Sequence, residues 1–437
     1  MDNLKIKLKN KKAKIGIIGL GYVGLPLCLR FLEVGFNVIG FDNDKSKIKK
    51  LKNGKSYIKS IPSSKLNKLK KKFNLTNNMN IISDVDVIII CLPTPLTKKT
   101  KKPDMTYIKD ICNILKNKIR KNQAIILEST TYPGTTREYF LPIIQKNKLL
   151  VGKNFYLIYS PEREDPGNEK YSIKNVPKIV SGYTKTCKEI GNLIYKSVAK
   201  RVVTVETLDH AEMVKLYENI FRSINIGLAN EMKLVCEKMG LNIYEIINAA
   251  STKPFGFLPF YPGPGYGGHC IPIDPFYLSW RSKQFGYNPK FIELSGKINS
   301  GMPKRIATKV TQLLKKNQKN QKNQKNKILI LGVAYKKNVD DIRESPAIEI
   351  INFLSKNKEN KISFYDPYIN KILTRNKTFS KCEFFKLNFK KLKLFDVIII
   401  VTDHDILDYE KIYKNSKLIV DCRGRYYKHK HDNIIKL

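Results

Sequence analysis

The sequence predicts an α/β protein in which two doubly wound, parallel-sheet units are joined by a long central helix and a helical middle domain. Three observations carry this prediction. Lys14 to Gly24 reads KIGIIGLGYVG, an apolar run that ends in glycines and continues into the helical pattern LPLCLRFLEVG. The same grammar returns late in the chain, where Lys327-Ile-Leu-Ile-Leu-Gly332-Val-Ala-Tyr answers the first run and Phe395-Asp396-Val-Ile-Ile-Ile answers Val85-Asp86-Val-Ile-Ile-Ile. The separations, 72 residues from Lys14 to Asp86 and 69 from Lys327 to Asp396, nearly agree. Between them, from about Glu206 to Gly240, apolar residues at 213, 214, 216, 217, 220, 221, 224, 228, 232 and 235 keep a spacing near 3.6. That spacing is the signature of one long amphipathic helix.

At 437 residues the chain exceeds a single core, and we divide it into 1–205, 206–300 and 301–437. The formal charge of +43 would suggest nucleic acid if the basic residues formed a stripe with aromatics between them. Here Lys dominates Arg and is mixed with Asn and Ile along the whole chain, which reads as ordinary solvated positions. A basic surface would still steer an anionic small substrate inward. The eight cysteines include no CxxC pair and no His partner at metal spacing, so we expect a reducing compartment, no disulfide framework and no metal. The basic tail MDNLKIKLKNKK lacks a signal-peptide apolar stretch, and no apolar run reaches about 18 residues. The expectation is a cytoplasmic protein without a membrane span.

In chain order, Gly19 permits a tight turn, Gly21 lets backbone reach a pyrophosphate, and Gly24 allows a helix to pack closely on the strand, with Tyr22 and Val23 between them. This is a Rossmann-like dinucleotide cradle. A second strand, Asn37 to Phe41, ends in Asp42, 18 residues past the last glycine, where an acid bonds a ribose 2′-OH; that favours NAD over NADP. Lys45 to Lys72 reads as a Lys-rich, solvated helical connection. Asp84 to Leu92 and Gln123 to Leu127 are apolar runs of the kind that form buried parallel strands. They end in Pro93-Thr94-Pro95 and Glu128-Ser129-Thr130-Thr131, so Thr94 and Thr130 present hydroxyls at the carboxyl edge of the sheet. Threonines end strands for other reasons too. Tyr156 to Ser160 is a further strand, and the charged turn Pro161 to Asn168 after it is either an exposed loop or part of the site.

Lys215 and Asn219 fall four apart on the long helix and share a face off its most apolar stripe. On residue type alone they are a solvated pair. Phe260 to Trp280, FYPGPGYGGHCIPIDPFYLSW, holds four Gly and four Pro in 21 residues and reads as a rigid, preformed loop. Its Cys270 is either a small side chain buried in a turn or a placed nucleophile, and the composition of the loop favours the second. His269 would point away from Cys270 in an extended loop and is taken as structural. Phe291 to Lys315 is a helix, and Lys315 to Lys327 a low-complexity surface insertion. The second α/β unit has lost two of its three glycines and should not hold a dinucleotide. Its loop GVAYKKNVDDIRESP, with Lys336, Asp340, Arg343 and Ser345, suits an anionic ligand.

GGHCIPIDP resembles the catalytic-cysteine motif of the nucleotide-sugar 6-dehydrogenases, enzymes similar to UDP-glucose dehydrogenase. The longer run from Thr252 most resembles the branch acting on UDP-N-acetylglucosamine in surface polysaccharide synthesis. The resemblance implies NAD as cofactor, a homodimer through the central helix, and a UDP-binding role for the second α/β unit. It implies a four-electron oxidation at C6 in which Cys270 captures the aldehyde, Lys215 and Asn219 stabilise the oxyanion, and Asp274, Thr130 or Glu162 position water. A Lys ammonium beside the thiol would favour the thiolate. It also places Glu162, from the SPE segment, with Arg163, Lys215, Phe260, Tyr261, Gly263, Gly267, Lys336 and Arg343 around the substrate. The glucose-specific members carry a second Glu four residues after the first, and this chain has Pro166 there, which argues against simple UDP-glucose. UDP-N-acetylmannosamine and UDP-glucose are the rival substrates. A two-step hydroxyacid dehydrogenase would need no nucleophilic cysteine, and a nucleic-acid-binding or inactive scaffold protein is the remote alternative.

Overall fold

The computed structural model describes residues 3–97, 102–145, 149–163, 171–268, 270–317, 325–374, 377–429 and 431–437. The chain divides into two compact units, one formed by Met1–Glu218 with Phe276–Tyr287, the other by Asn219–Pro275 with Asn288–Leu437.

The first unit opens with α1 (Asn3–Lys9), β1 (Lys14–Ile18), α2 (Gly24–Glu33), β2 (Asn37–Phe41), α3 (Lys45–Lys52), α4 (Ser63–Leu69), β3 (Phe73–Thr76), β4 (Val87–Ile90) and α5 (Thr106–Leu115). It continues through β5 (Gln123–Leu127), α6 (Leu141–Ile144), β6 (Phe155–Tyr159), β7 (Lys178–Gly182), α7 (Lys185–Lys196) and β8 (Val202–Thr204). The strands form one sheet in the order β3-β2-β1-β4-β5-β6-β7-β8, parallel except between β6 and β7. β4, β5 and β6 are buried at every position, so Val, Ile and Leu run without the polar alternation of a half-exposed strand. The order reverses at β1, which puts the first glycine turn and the ends of β4 and β5 at the crevice where such sheets bind ligands.

Helix α8 (Leu208–Met239) begins in the first unit and runs on into the second. After it come α9 (Ile243–Ala250), α10 (Asp274–Lys283) and α11 (Lys290–Asn317). The second unit continues with β9 (Asn326–Leu331), α12 (Pro346–Leu354), β10 (Asn360–Tyr365), a separate small hairpin of β11 (Leu373–Thr374) and β12 (Lys377–Thr378), β13 (Glu383–Phe384), β14 (Val397–Ile400), α13 (Tyr409–Lys414), β15 (Ile419–Asp421) and β16 (Ile434–Lys436); the strands other than the hairpin form the second sheet. Its order, β13-β10-β9-β14-β15-β16, is all parallel and repeats the first unit's winding.

The internal repeat reaches single hydrogen bonds. Lys14 N–H donates to Asp86 Oδ2 at 2.9 Å and Lys327 N–H to Asp396 Oδ2 at 2.8 Å, while each aspartate's own N–H returns to the lysine carbonyl at 2.9 and 2.8 Å. The carboxylate thus clamps the start of the central strand to the start of its neighbour. Asp86 is the buried member, and it also takes Lys7 Nζ at 2.9 Å and Arg120 Nη2 at 3.0 Å. Burial pushes its carboxyl up, but the bonds from Lys14, Lys7 and Arg120 outweigh this and hold it below its ordinary value. With the folded pKa depressed, the clamp's contribution is present above the unfolded pKa and lost as pH falls through the folded one. Asp86→Asn should therefore lower unfolding stability by about 1–3 kcal/mol at neutral pH. The gap to wild type in a denaturant titration should close below about pH 4.

Two stretches differ from the sequence expectation. The N-terminal tail is the helix α1, with Leu4 and Leu8 buried one turn apart and Lys5 paired to Glu189 of α7 at 2.9 Å. Lys45 to Lys72 is not simply solvated, because Ile48, Leu51, Ile58, Ile61 and Leu66 are buried. In both, a few apolar residues at helical or turn spacing dock on the core while the lysines keep their heads in water. The Lys315 to Lys327 insertion falls largely outside the described residues.

Candidate active site

At the first glycine turn, Gly19 has φ +92°, and a Cβ there would lie 2.5 Å from the Cys91 carbonyl oxygen. A Cβ on Gly24 would lie 1.9 Å from the Gly19 carbonyl oxygen, so α2 sits directly on the turn. Over Gly21 the space is open, with nothing within 4 Å of a Cβ. Tyr22 and Val23 lead into α2. Asp42, buried at the end of β2, accepts from Leu20 N–H and Asp44 N–H, both at 2.9 Å, with Lys47 Nζ 3.5 Å away. These bonds fix the carboxylate beside the turn and leave lone pairs for a ribose hydroxyl. The open space over Gly21, the helix N-terminus behind it and the anchored acid fit a dinucleotide.

Beside this cradle, Thr94 Oγ1 donates to the Thr130 carbonyl at 2.6 Å, tying the segment after β4 to that after β5. Thr131 is buried, and its Oγ1 has no hydrogen-bond partner among the described residues. Glu128 is held by the buried Lys178 at 3.0 Å and by the Tyr195 hydroxyl. Glu162, just past β6, accepts from Lys215 Nζ at 3.4 Å, both side chains being about nine-tenths buried. Arg163 is otherwise engaged: its guanidinium forks onto Glu218 at 2.6 and 3.3 Å and reaches the Pro177 carbonyl at 2.6 Å. It braces the turn, so the substrate contact expected of it would have to share these bonds. Pro166 lies outside the described residues.

In the second unit, Asn219 Nδ2 donates to Asp274 Oδ2 at 2.6 Å, and both side chains are buried. Lys215 and Asn219 are therefore not the solvated pair that residue type alone suggests. Off-stripe positions of a helix look exposed from sequence only when nothing covers them, and here both side chains find buried carboxylate partners. Asp274 opens α10. The Cys270 carbonyl accepts from Ile273 N–H at 3.0 Å and Asp274 N–H at 2.8 Å, so Cys270 sits in the turn that starts this helix. Behind it, Gly268 N–H donates to the Arg343 carbonyl at 2.9 Å, and a Cβ on Gly267 would lie 2.7 Å from Tyr335 Cβ. The glycines let the cysteine loop lie on the 333–345 segment at backbone contact. His269 lies outside the described residues.

Among the residues expected around the substrate, Phe260 packs edge-on against Phe221 with ring centroids 5.8 Å apart. Gly263 N–H donates to Asn230 Oδ1 at 2.9 Å, and its missing Cβ makes room for the Arg423 guanidinium. Tyr261 is exposed and bonds Asn248 at 2.7 Å. Lys336 lies on the 333–345 segment. Arg343 is exposed and forks onto Asp341 at 2.6 to 3.0 Å, so an anion there would compete with that carboxylate.

The second unit's counterpart of Asp42 is Asp366. Its Oδ2 accepts from Val333 N–H at 2.8 Å and Ala334 N–H at 3.1 Å and bonds His404 Nε2 at 3.0 Å, with both side chains fully buried. Asn338 N–H donates to His404 Nδ1 at 3.0 Å, which leaves the proton on Nε2. A histidine thus stands against the ribose-type acid, a second reason, beyond the lost glycines, for this unit not to take a dinucleotide.

Residue type gave no hint of Arg423 or Tyr335, which matter through backbone packing. Glu212 was missed although a signal existed, an acid three residues before Lys215 on a helix.

The fold and this set of residues define a dinucleotide-dependent dehydrogenase with a second, altered nucleotide-type unit. Models of the UDP-glucose/GDP-mannose dehydrogenase family match its NAD binding domain at residues 13–199, its central domain at 209–301 and its UDP binding domain at 329–428. The chain is 34% identical over 414 residues to Protein CapL of Staphylococcus aureus, covering 93% of each. It is 30% identical over 362 residues to the UDP-N-acetyl-D-glucosamine 6-dehydrogenase of Pseudomonas aeruginosa, covering 82% of this chain and 84% of the relative. The solved UDP-D-ManNAc dehydrogenase of Pyrococcus horikoshii superposes with a TM-score of 0.84 at 32% identity, covering 94% and 95% of the two chains. The chain belongs to the UDP-glucose/GDP-mannose dehydrogenase family and is an NAD-dependent UDP-sugar oxidoreductase.

Proposed function

We propose that the protein oxidises a UDP-N-acetylhexosamine, UDP-N-acetyl-D-glucosamine in the first reading, at C6 to the uronate, for a bacterial surface polysaccharide. The observation that carries this reading is Cys270 in the turn of a helix whose first residue, Asp274, is bonded to Asn219 at 2.6 Å. A simple two-electron alcohol dehydrogenase has no use for a cysteine placed this way.

The balanced reaction turns one primary alcohol, two NAD and one water into a carboxylate, two NADH and three protons. Gly19 to Gly24 and Asp42, with Thr94 and Thr130 nearby, would hold NAD, which would supply the hydride acceptor for each oxidation. The chain's own residues do the rest. Water held by Asp274 or Lys215 takes the C6 hydroxyl proton, and the Cys270 thiolate adds to the aldehyde, so the intermediate cannot leave between the two oxidations. Lys215 and Asn219 stabilise the thiohemiacetal oxyanion. The thioester that follows is hydrolysed by water positioned by Asp274, Thr130 or Glu162. Lys336 and Arg343 offer positive charge for the UDP diphosphate.

UDP-N-acetylmannosamine is the second reading, favoured by the superposition on the enzyme named for that sugar. We retain the division into 1–205, 206–300 and 301–437 and a cytoplasmic location; no described helix is long and apolar enough to cross a membrane. A homodimer through α8 is supported by Tyr217, Phe221, Leu228, Met232, Val235 and Met239, exposed apolar residues three, four or seven apart. A sedimentation mass of one chain would rule it out.

The functional test is the yield of NADH with excess NAD and limiting sugar nucleotide. Two NADH per UDP-N-acetylglucosamine are expected. Turnover only with the mannosamine or glucose nucleotide would replace the substrate, and no NADH with any of the three would sink the reading.

A further inference from the structure

Glu212 is a fully buried acid with no place in the chemistry above, and burial pushes its carboxyl up to about 8 against the bonds from Thr136 and Gly134. It lies on α8 one turn before Lys215, and among the described residues its hydrogen bonds come from one turn of chain. Oε2 accepts from Gly134 N–H at 2.6 Å, and Oε1 accepts from Thr136 N–H at 2.8 Å and from Thr136 Oγ1 at 2.6 Å. A buried carboxylate is costly unless such donors meet it. Two of the three are backbone N–H groups, which cannot become acceptors, so an amide in place of the carboxylate would set one NH2 against an N–H.

The turn that Glu212 grips begins just after Thr130. Gly134 has φ +97°, and Thr135 N–H closes onto the Tyr132 carbonyl at 3.1 Å. On its other side, Arg281 Nε of α10 donates to the Pro133 carbonyl at 3.0 Å, and Trp280 meets the Tyr132 ring at 4.9 Å. The segment leaving β5 is thus held from both sides, and on the helix that carries Lys215 the buried holder is Glu212, beside the partly exposed Asp209, which accepts from Arg137 Nη2 at 2.8 Å.

We propose that Glu212 is a positioning residue: it fastens the Thr130 segment to the turn of α8 that bears Lys215 and so sets the spacing of these two groups. The inference rests on the reaction proposed above for its kinetic consequence, though not for the tether itself.

The test compares wild type, Glu212→Gln, Thr136→Val and the double variant by steady-state NADH formation and by hydrogen exchange of the peptide spanning 128–140 without substrates. Glu212→Gln should lower kcat about 10- to 100-fold, as misplacement by about an ångström does. Both KM values should stay within about threefold, which separates positioning from lost binding. Thr136→Val should lower kcat by a smaller factor, and the double variant should be no worse than Glu212→Gln, because both cut one tether. Exchange in 128–140 should quicken while β1 stays protected. Wild-type kcat in a folded Glu212→Gln, or a raised KM with kcat unchanged, would overturn the proposal. If Glu212→Gln does not fold, unchanged kcat and exchange in Thr136→Val overturn it. An inactive wild type would count against the proposed function alone, since the exchange of 128–140 still decides the tether.

Discussion

Cys270→Ala is expected to abolish the second NADH and the uronate, with a loss in kcat for the four-electron oxidation on the order of 10⁴-fold or more, as for removal of a nucleophile from other covalent enzymes. The size follows from the chemistry. Without the thiol the aldehyde has no covalent hold, and hydride transfer from an aldehyde requires prior addition of a nucleophile to make a tetrahedral donor. The turn that starts α10 should survive the substitution, because the bonds from Ile273 N–H and Asp274 N–H go to the residue 270 carbonyl, which alanine keeps. Intact-mass spectrometry of wild type quenched during turnover should show a sugar-nucleotide adduct that the variant lacks. A variant that still forms two NADH per sugar would remove Cys270 from the mechanism.

Lys215→Ala carries the second-largest effect and acts twice. Removing the ammonium leaves Glu162, with an 11% exposed side chain, as a buried carboxylate without its 3.4 Å lysine partner. Breaking a buried pair from one side costs about 3–5 kcal/mol. It also removes the cation proposed to face the oxyanion, worth roughly 10²–10³ in kcat. The two effects are separable. Lys215→Ala combined with Glu162→Gln should regain most of the lost stability in thermal unfolding, because the ion pair is then removed from both sides, and should regain none of the lost kcat. Recovery of activity along with stability would mean that Lys215 acts through the fold only.

Much of this molecule is legible in one dimension because its signals are local. A parallel strand buried on both faces must be continuously apolar, so β2 and β5 lie at the residues expected, Asn37–Phe41 and Gln123–Leu127. A glycine whose Cβ would meet a carbonyl at 1.9 Å admits no substitute, so the cradle at Gly19 to Gly24 can be read directly. The paired aspartates Asp86 and Asp396 betray the repeat because each bonds a lysine at the start of its unit's central strand. The family and the NAD cradle were therefore within reach of the sequence.

Tertiary structure decided what depends on partners distant along the chain. Lys215 and Asn219 seem solvated until Glu162 and Asp274, each more than 50 residues away, are brought to them. Arg163 reads from sequence as a substrate-facing cation, and only the fold shows that Glu218, 55 residues away, shares its guanidinium. Glu212 gains its meaning only from a turn 76 residues earlier. The physical reason is common to all of them. A charge's role is set by what desolvates and pairs it, and residue type and spacing specify its own backbone but not the groups that fold against it.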